Sequence, residues 1–191
     1  MVRVLIVNDT EKHLTLLREG LAEAGCELVG VTDSAFDLPK EVERLQPDVI
    51  IIDTESPTRD VLEQVCVVTD SSPRPIVMFT ADRDNVTIRA AVKAGVTAYI
   101  VDGLGEARLR PIMEVAMARF EQERDLKNRL DDAESKLIER KVVERAKGVL
   151  MRKKGLDEAT AYELLRKQAM RNGQKLSDVA KQLIDLEDLL G

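Results

Sequence analysis

Five apolar runs, each ending on polar residues and each followed by a stretch of helical periodicity, constrain this chain more than any other feature. Residues 2–7 run into Asn8-Asp9, and the pattern returns at 26–31, 48–52, 75–79 and 96–101. The third, fourth and fifth runs end on Asp53, Thr80 and Asp102. Segments 11–24, 37–45, 60–68 and 85–94 place Leu or Val at helical spacing, with Gly25 and Gly95 as stops and Pro39 suited to a first turn. Strands that are apolar along their whole length are buried on both faces. Alternating with helices, they predict a parallel sheet covered on both sides, a (βα)5 architecture. Function in such sheets gathers at the carboxyl ends of the strands. That edge would collect Asn8, Asp9, Asp53, Thr80 and Asp102. Oxygen ligands of this kind suit a hard divalent cation such as Mg2+, and one carboxylate can accept a phosphoryl group.

Beyond Pro111 no strong breaker interrupts residues 104–152. Leu109, Ile112, Ala116 and Phe120 finish the sheet domain. Leu126, Leu130, Ala133 and Leu137 then recur at 4-3-4 spacing among charged residues, the seam of a short coiled coil. A helix of this length spans roughly 65–70 Å. It cannot bury that seam inside one small monomer, so a homodimer is expected. The alternative is a solvated helix packed on its own domain.

The last third, residues 141–190, reads as a three-helix unit. The expected stripes are Val142, Ala146, Val149 and Leu150; Ala161, Leu164, Leu165, Gln168 and Ala169; and Val179, Leu183, Leu186 and Leu190. Asp157 and Glu158 open the second helix, Asn172-Gly173 close it, and Ser177 is the expected cap of the third. Charge matters here. From Lys136 onward there are 13 Lys+Arg against 9 Asp+Glu, a net of +4, whereas the whole chain carries −6. A basic end on an acidic protein points to a polyanion; the blander reading is a set of solvated helix faces. With no Trp and 3% aromatics, stacking platforms for single strands are not expected.

Several classes fall away. No apolar run approaches the ~20 residues of a membrane span, and the reading is cytoplasmic. His13 stands alone without a Cys/His cluster, so zinc is not expected. Cys26 and Cys66 read as buried free thiols. No nucleophile–base constellation, P-loop or dinucleotide fingerprint is present, so the chain is not read as an enzyme.

The runs Arg140 to Met151 (RKVVERAKGVLM), Glu158 to Met170 (EATAYELLRKQAM) and Lys175 to Ala180 (KLSDVA) resemble the ANTAR domain, the RNA-binding module of the AmiR/NasT family of response regulators. Asp53 to Asp60 (DTESPTRD) is similar to the NasT-type nitrate-assimilation branch. The first ~120 residues resemble a response-regulator receiver, a flavodoxin-like fold. The resemblance implies a receiver-like domain at 1–120, a coiled-coil dimerisation helix at 121–138 and a three-helix ANTAR domain at 139–191. It makes Asp53 the phosphoacceptor position, Asp9 a metal ligand, and Thr80 and Tyr99 the switch pair. It implies binding to hairpins of a leader mRNA, with Lys141, Arg145, Lys147, Arg166, Arg171 and Lys175 as contacts. Charge reversal at Lys147 and Arg166 should lower RNA affinity without unfolding. A sensor kinase or a ligand-sensing regulator protein would control it.

Two departures stand out. Asn8 replaces the first member of the usual acidic pair, and Asp102 occupies the place of the receiver lysine. At an effective dielectric of 20 a charge pair at 4 Å is worth about 4 kcal/mol, so a carboxylate there opposes a phosphoryl group. Two readings of Asp53 stand side by side: phosphoacceptor, or a loop acid capping backbone groups. Other functions are a phosphorylated regulator acting on DNA, or a protein-interaction adaptor. Residues 176–180 resemble the first helix of a helix-turn-helix, but no recognition helix follows and the tail is acidic, which disfavours DNA.

Overall fold

The computed structural model describes residues 1–8, 13–102 and 105–190. They form two compact units, Met1–Arg124 and Asp125–Gly191. In the first, β1 (Arg3–Asn8), β2 (Glu27–Thr32), β3 (Val49–Asp53), β4 (Ile76–Thr80) and β5 (Ala98–Val101) make one parallel sheet in the order β2-β1-β3-β4-β5. Helices α1 (Leu14–Glu23), α2 (Leu38–Leu45), α3 (Arg59–Ser71) and α4 (Asn85–Ala94) alternate with the strands, and α5 (Glu106–Lys154) follows them. The expected (βα)5 receiver fold is present.

Side-chain alternation builds two cores. Leu5, Val7, Ile50, Ile52, Ile76 and Met78 face α2, α3 and α4 through Leu38, Val42, Val65, Val68, Ala91 and Ala94. Val4, Ile6, Val49, Ile51, Val77 and Phe79 face α1 and α5 through Leu17, Leu21, Leu109, Met113 and Ala116. Both faces of β1, β3 and β4 are thus covered, which is why those runs are continuously apolar. The caps are local. Thr58 Oγ1 accepts from the Val61 amide at 3.4 Å, and Asp84 Oδ2 accepts from Thr87 at 3.2 Å.

In the second unit, the end of α5 packs with α6 (Glu158–Asn172) and α7 (Leu176–Leu190) around Ala146, Leu150, Ala161, Leu165, Ala169, Val179, Ala180 and Ile184. Asp157 Oδ1 caps α6 by accepting from the Thr160 amide at 2.7 Å, and Gly173 ends it at φ 63°. The stripes are narrower than the periodicity suggests. Leu164 and Leu186 are exposed, and Ile184 takes the buried place instead. Ser177 is not a cap: α7 already begins at Leu176, and the Lys175 carbonyl accepts from the Asp178 and Val179 amides. Cys66 is exposed rather than buried, because the inward face of α3 is carried by Val65 and Val68. Among the described residues no helix is long and apolar enough to cross a membrane.

Candidate regulatory pocket and nucleic-acid interface

Register places the first site. Asn8 pairs with Asp53 at the last step of β1 against β3, at the point where strand order reverses. Both side chains are buried at the carboxyl edge. The Asp53 carboxylate meets the imidazole of His13, with Nδ1 at 3.1 Å from Oδ2 and 3.3 Å from Oδ1. With the proton on Nδ1 the ring donates to the carboxylate, from the turn that opens α1. Asp9 lies outside the described residues.

Thr80 and Tyr99, expected to act as a pair, grip the same residue. Thr80 Oγ1 accepts from the Asp82 amide at 3.1 Å and donates to the Glu55 carbonyl at 2.9 Å. The Tyr99 hydroxyl donates to the Asp82 carbonyl at 3.2 Å. Burial pushes the Tyr99 phenol up, and the negative charge of Asp82 adds to that. The Asp82 carboxylate accepts from the Asp84 amide at 2.8 Å and the Ser56 hydroxyl at 2.9 Å, which holds it below the usual carboxylate range.

Asp102 sits at φ 47°, with its carboxylate bound by the Arg83 guanidinium, Nε at 3.1 Å and Nη2 closer still. The repulsion expected from a carboxylate at this position presumes an unanswered charge. Here Arg83, from the β4–α4 loop, answers it. His13 and Arg83 are therefore the functional neighbours that sequence reasoning missed. The only signal for His13 was its place just before α1 at the carboxyl edge. Nothing in the sequence pairs Arg83 with Asp102.

Receiver domains generally hold Mg2+ beside the phosphorylated carboxylate. Such a cation needs about six oxygen donors. Among the described residues no group of three His, Cys, Asp or Glu gathers. Asp53 and Asn8 alone do not supply that donor set.

The expected contact residues of the second candidate site lie in the C-terminal unit. Lys141, Arg166 and Arg171 are exposed and form no ion pair among the described residues. Arg145 holds Asp188 through Nη2 at 2.9 and 3.0 Å, and Lys175 stands 4.0 Å from Glu139. Lys147 has a different setting. Its side chain is 8% exposed, and its ammonium lies 2.9 Å from Glu144 and 2.6 Å from Glu158. It clamps α5 to α6. A reversed charge there would set three carboxylates together, so the expectation that the unit stays folded under that change does not hold for Lys147.

The clamp gives the unit a pH window. The hydrogen bonds with Glu144 and then Glu158 hold the Lys147 ammonium above the ordinary lysine range, and Lys147 holds Glu158 below the ordinary carboxylate range. The lowered carboxyl contributes stability above its unfolded pKa, lost as pH falls through the folded one. The raised ammonium contributes below its unfolded pKa, lost as pH rises through the folded one. Asp157, lowered by the Thr160 amide, acts in the acid direction too. The thermal midpoint of the C-terminal helices is expected to be flat from neutrality into the alkaline range and to drop by several degrees on acidification through the carboxylate range. Lys147→Met should lower the neutral-pH midpoint by a similar amount. Circular dichroism melts showing Lys147→Met unchanged at neutral pH would reject the clamp.

The "Response regulator receiver domain" family matches residues 4–114, and the "ANTAR domain" family matches residues 131–184. The chain is 31% identical over 183 residues to the transcriptional regulatory protein PdtaR of Mycobacterium tuberculosis, covering 96% of this chain and 89% of that one. It is 34% identical over 125 residues to the transcriptional regulatory protein BtsR of Escherichia coli K12, covering 65% of this chain and 50% of that one. Among solved structures it is similar to the signal receiver domain of a modulated diguanylate cyclase from Desulfovibrio desulfuricans G20, with TM-score 0.56, 24% identity, and 63% and 97% of the two chains covered. A CheY-like receiver domain protein from Methanospirillum hungatei JF-1 gives TM-score 0.56 at 20% identity, covering 64% of this chain and 98% of that one. These likenesses carry the sheet fold alone, while the match to PdtaR spans 96% of the chain and so covers both units. The chain belongs to the response regulators, in the group that joins a receiver domain to a C-terminal ANTAR domain.

Proposed function

We propose that this response regulator is a transcription antiterminator that binds stem-loops of a nascent leader mRNA as a homodimer. In this reading residues 1–120 receive the signal, 121–138 join two chains, and 139–191 bind RNA in the cytoplasm. One observation carries it: the ANTAR-matched unit exposes Lys141, Arg166 and Arg171 without ion partners among the described residues, in a chain whose net charge is −6. Exposed bases meet phosphates and release counterions. Base-specific contacts go to unpaired loop nucleotides, because A-form grooves hide base edges. Arg145 and Lys175 join the contact set by exchanging a surface carboxylate for a phosphate. Lys147 supports that set from beneath.

Control enters through the receiver-like domain. A sensor kinase phosphorylating Asp53, with Mg2+ held by Asp9 and Asp53, is one input. Docking of a ligand-sensing regulator protein is the other, favoured because position 102 lacks the lysine that would neutralise a phosphoryl group and Arg83 is engaged by Asp102. The NasT-like stretch Asp53 to Asp60 points to nitrate or nitrite as the ligand such a partner senses. Action on DNA is disfavoured. Helix α7 runs unbroken over Leu176–Leu190, where a helix-turn-helix would turn, and carries Asp185, Glu187 and Asp188.

The test is binding of the purified chain to a two-hairpin leader RNA and to duplex DNA of the same sequence over a salt series. Loop-dependent RNA binding with weak DNA binding is expected. Equal, steeply salt-dependent affinity for both would leave only a generic basic patch and end the antiterminator reading.

A further inference from the structure

Helix α6 buries Ala161, Leu165 and Ala169, and this leaves Tyr162 outside the core at 41% exposure. The ring lines an open cleft of about 490 Å³ between α5, α6 and the start of α7, within the volume range of about 300–1,000 Å³ usual for small-molecule sites. Val143 and Leu176 supply apolar wall, continuous with the C-terminal core. Lys136, Arg140 and Lys175 supply cations; Glu139 and Glu144 supply carboxylates, that of Glu144 being held by Lys147. Arg166 lies one helical turn beyond Tyr162 on α6 and has no ion partner among the described residues. The contact between Glu139 and Lys175 is long, 4.0 Å, so both groups are available to a ligand at little cost.

An aromatic face, apolar walls, cations at the rim and a carboxylate acceptor match one chemistry: an unstacked nucleobase with its flanking phosphates. The ring stacks on the base, the cations take the phosphates, and the carboxylate accepts from ring or amino N–H groups. We propose that the Tyr162 cleft receives one unpaired nucleobase of the bound RNA. This deepens the RNA-binding reading above and rests on it. It also gives a stacking role to a chain whose low aromatic content argued against one, since a single exposed ring in a charged cleft suffices for a single base.

The chain has no Trp and two Tyr, so its intrinsic emission reports Tyr99 and Tyr162 alone. The probe is a set of hairpin RNAs enriched on the full-length wild-type chain from a pool with a randomised loop. These hairpins are expected to quench tyrosine emission, and a fully paired RNA duplex is not. Tyr162→Phe keeps the stacking face, so affinity should stay within about twofold while the quench disappears. Tyr162→Ala should weaken binding by roughly fivefold or more. The wild-type quench does not depend on how the Ala variant folds. Hairpins that bind Tyr162→Ala as tightly as wild type, with emission undisturbed, would overturn the cleft and leave RNA binding standing. Equal quenching by the duplex would also overturn it. A Tyr162→Ala chain that changes particle mass rather than RNA affinity would assign the cleft to a second copy instead. Failure to enrich any RNA would remove the RNA reading and the cleft together.

Discussion

Leu130→Asp is expected to halve the particle mass, from two chains of 21.3 kDa to one, in light scattering at micromolar concentration. The reason lies on α5. Leu126, Leu130 and Leu137 are 59%, 58% and 54% exposed, and Ala133 is exposed with them. In one chain, then, the 4-3-4 seam faces water. Three leucines held in line on one helix face each favour burial by about 1.5–3 kcal/mol, and a matching helix from a second chain provides it. An Asp at the seam's middle would face its symmetry mate, placing two unpaired carboxylates in an apolar interface, where burial is prohibitive. The helix itself should persist, since an exposed Asp costs it only a few tenths of a kcal/mol. Unchanged helicity with halved mass is therefore the expected pair of readings. A wild-type chain that scatters as a monomer would remove the dimer outright. Loss of pairing should also weaken a two-hairpin RNA far more than a one-hairpin RNA, because the second hairpin is then no longer captured at high effective concentration.

The strands were legible because burial on both faces leaves a run of apolar residues that no solvent-facing pattern imitates. Residues 48–52 and 75–79 are fully apolar apart from their first positions, and they became the buried β3 and β4. The carboxyl edge was legible for the same reason: a strand ends where its apolar run ends, so Asp53 and Thr80 fell where chain order required. What lay beyond reach was pairing between segments distant in sequence. Arg83 meets Asp102, and His13 meets Asp53 across 40 positions, through loop geometry that no periodicity encodes. Lys147 shows the same limit within helices. Its partner Glu144 is three residues away and readable as a helix pair, but Glu158 comes from the next helix. The second partner, not the first, turns a surface base into an interhelical clamp. The breadth of a buried stripe was also overestimated on α6 and α7, because a three-helix unit covers less of each helix than a sheet does. Leu164 and Leu186 satisfied the spacing yet stayed outside.

The double charge reversal Arg166→Glu/Arg171→Glu should lower affinity for a hairpin RNA by at least about 30-fold at physiological salt. It should also reduce the slope of log affinity against log salt by about two. Neither side chain has an ion partner among the described residues, and both lie outside the core formed by Ala161, Leu165 and Ala169. The folded unit therefore loses nothing by their change, unlike Lys147, where reversal breaks two ion pairs. This difference makes the experiment decisive. A reversal that reduces RNA binding while the melting midpoint stays put assigns the loss to phosphate contact. The companion variant Arg145→Glu is weaker evidence, because it also breaks the bidentate contact with Asp188 and so mixes stability into the reading. Equal affinity of wild type and the double variant, with equal salt slopes, would show that RNA does not touch the exposed face of α6. The basic residues of α5, from Lys136 through Lys154, and Lys175 would then have to carry the interface, and the Tyr162 cleft would depend on its own rim of Lys136, Arg140 and Lys175.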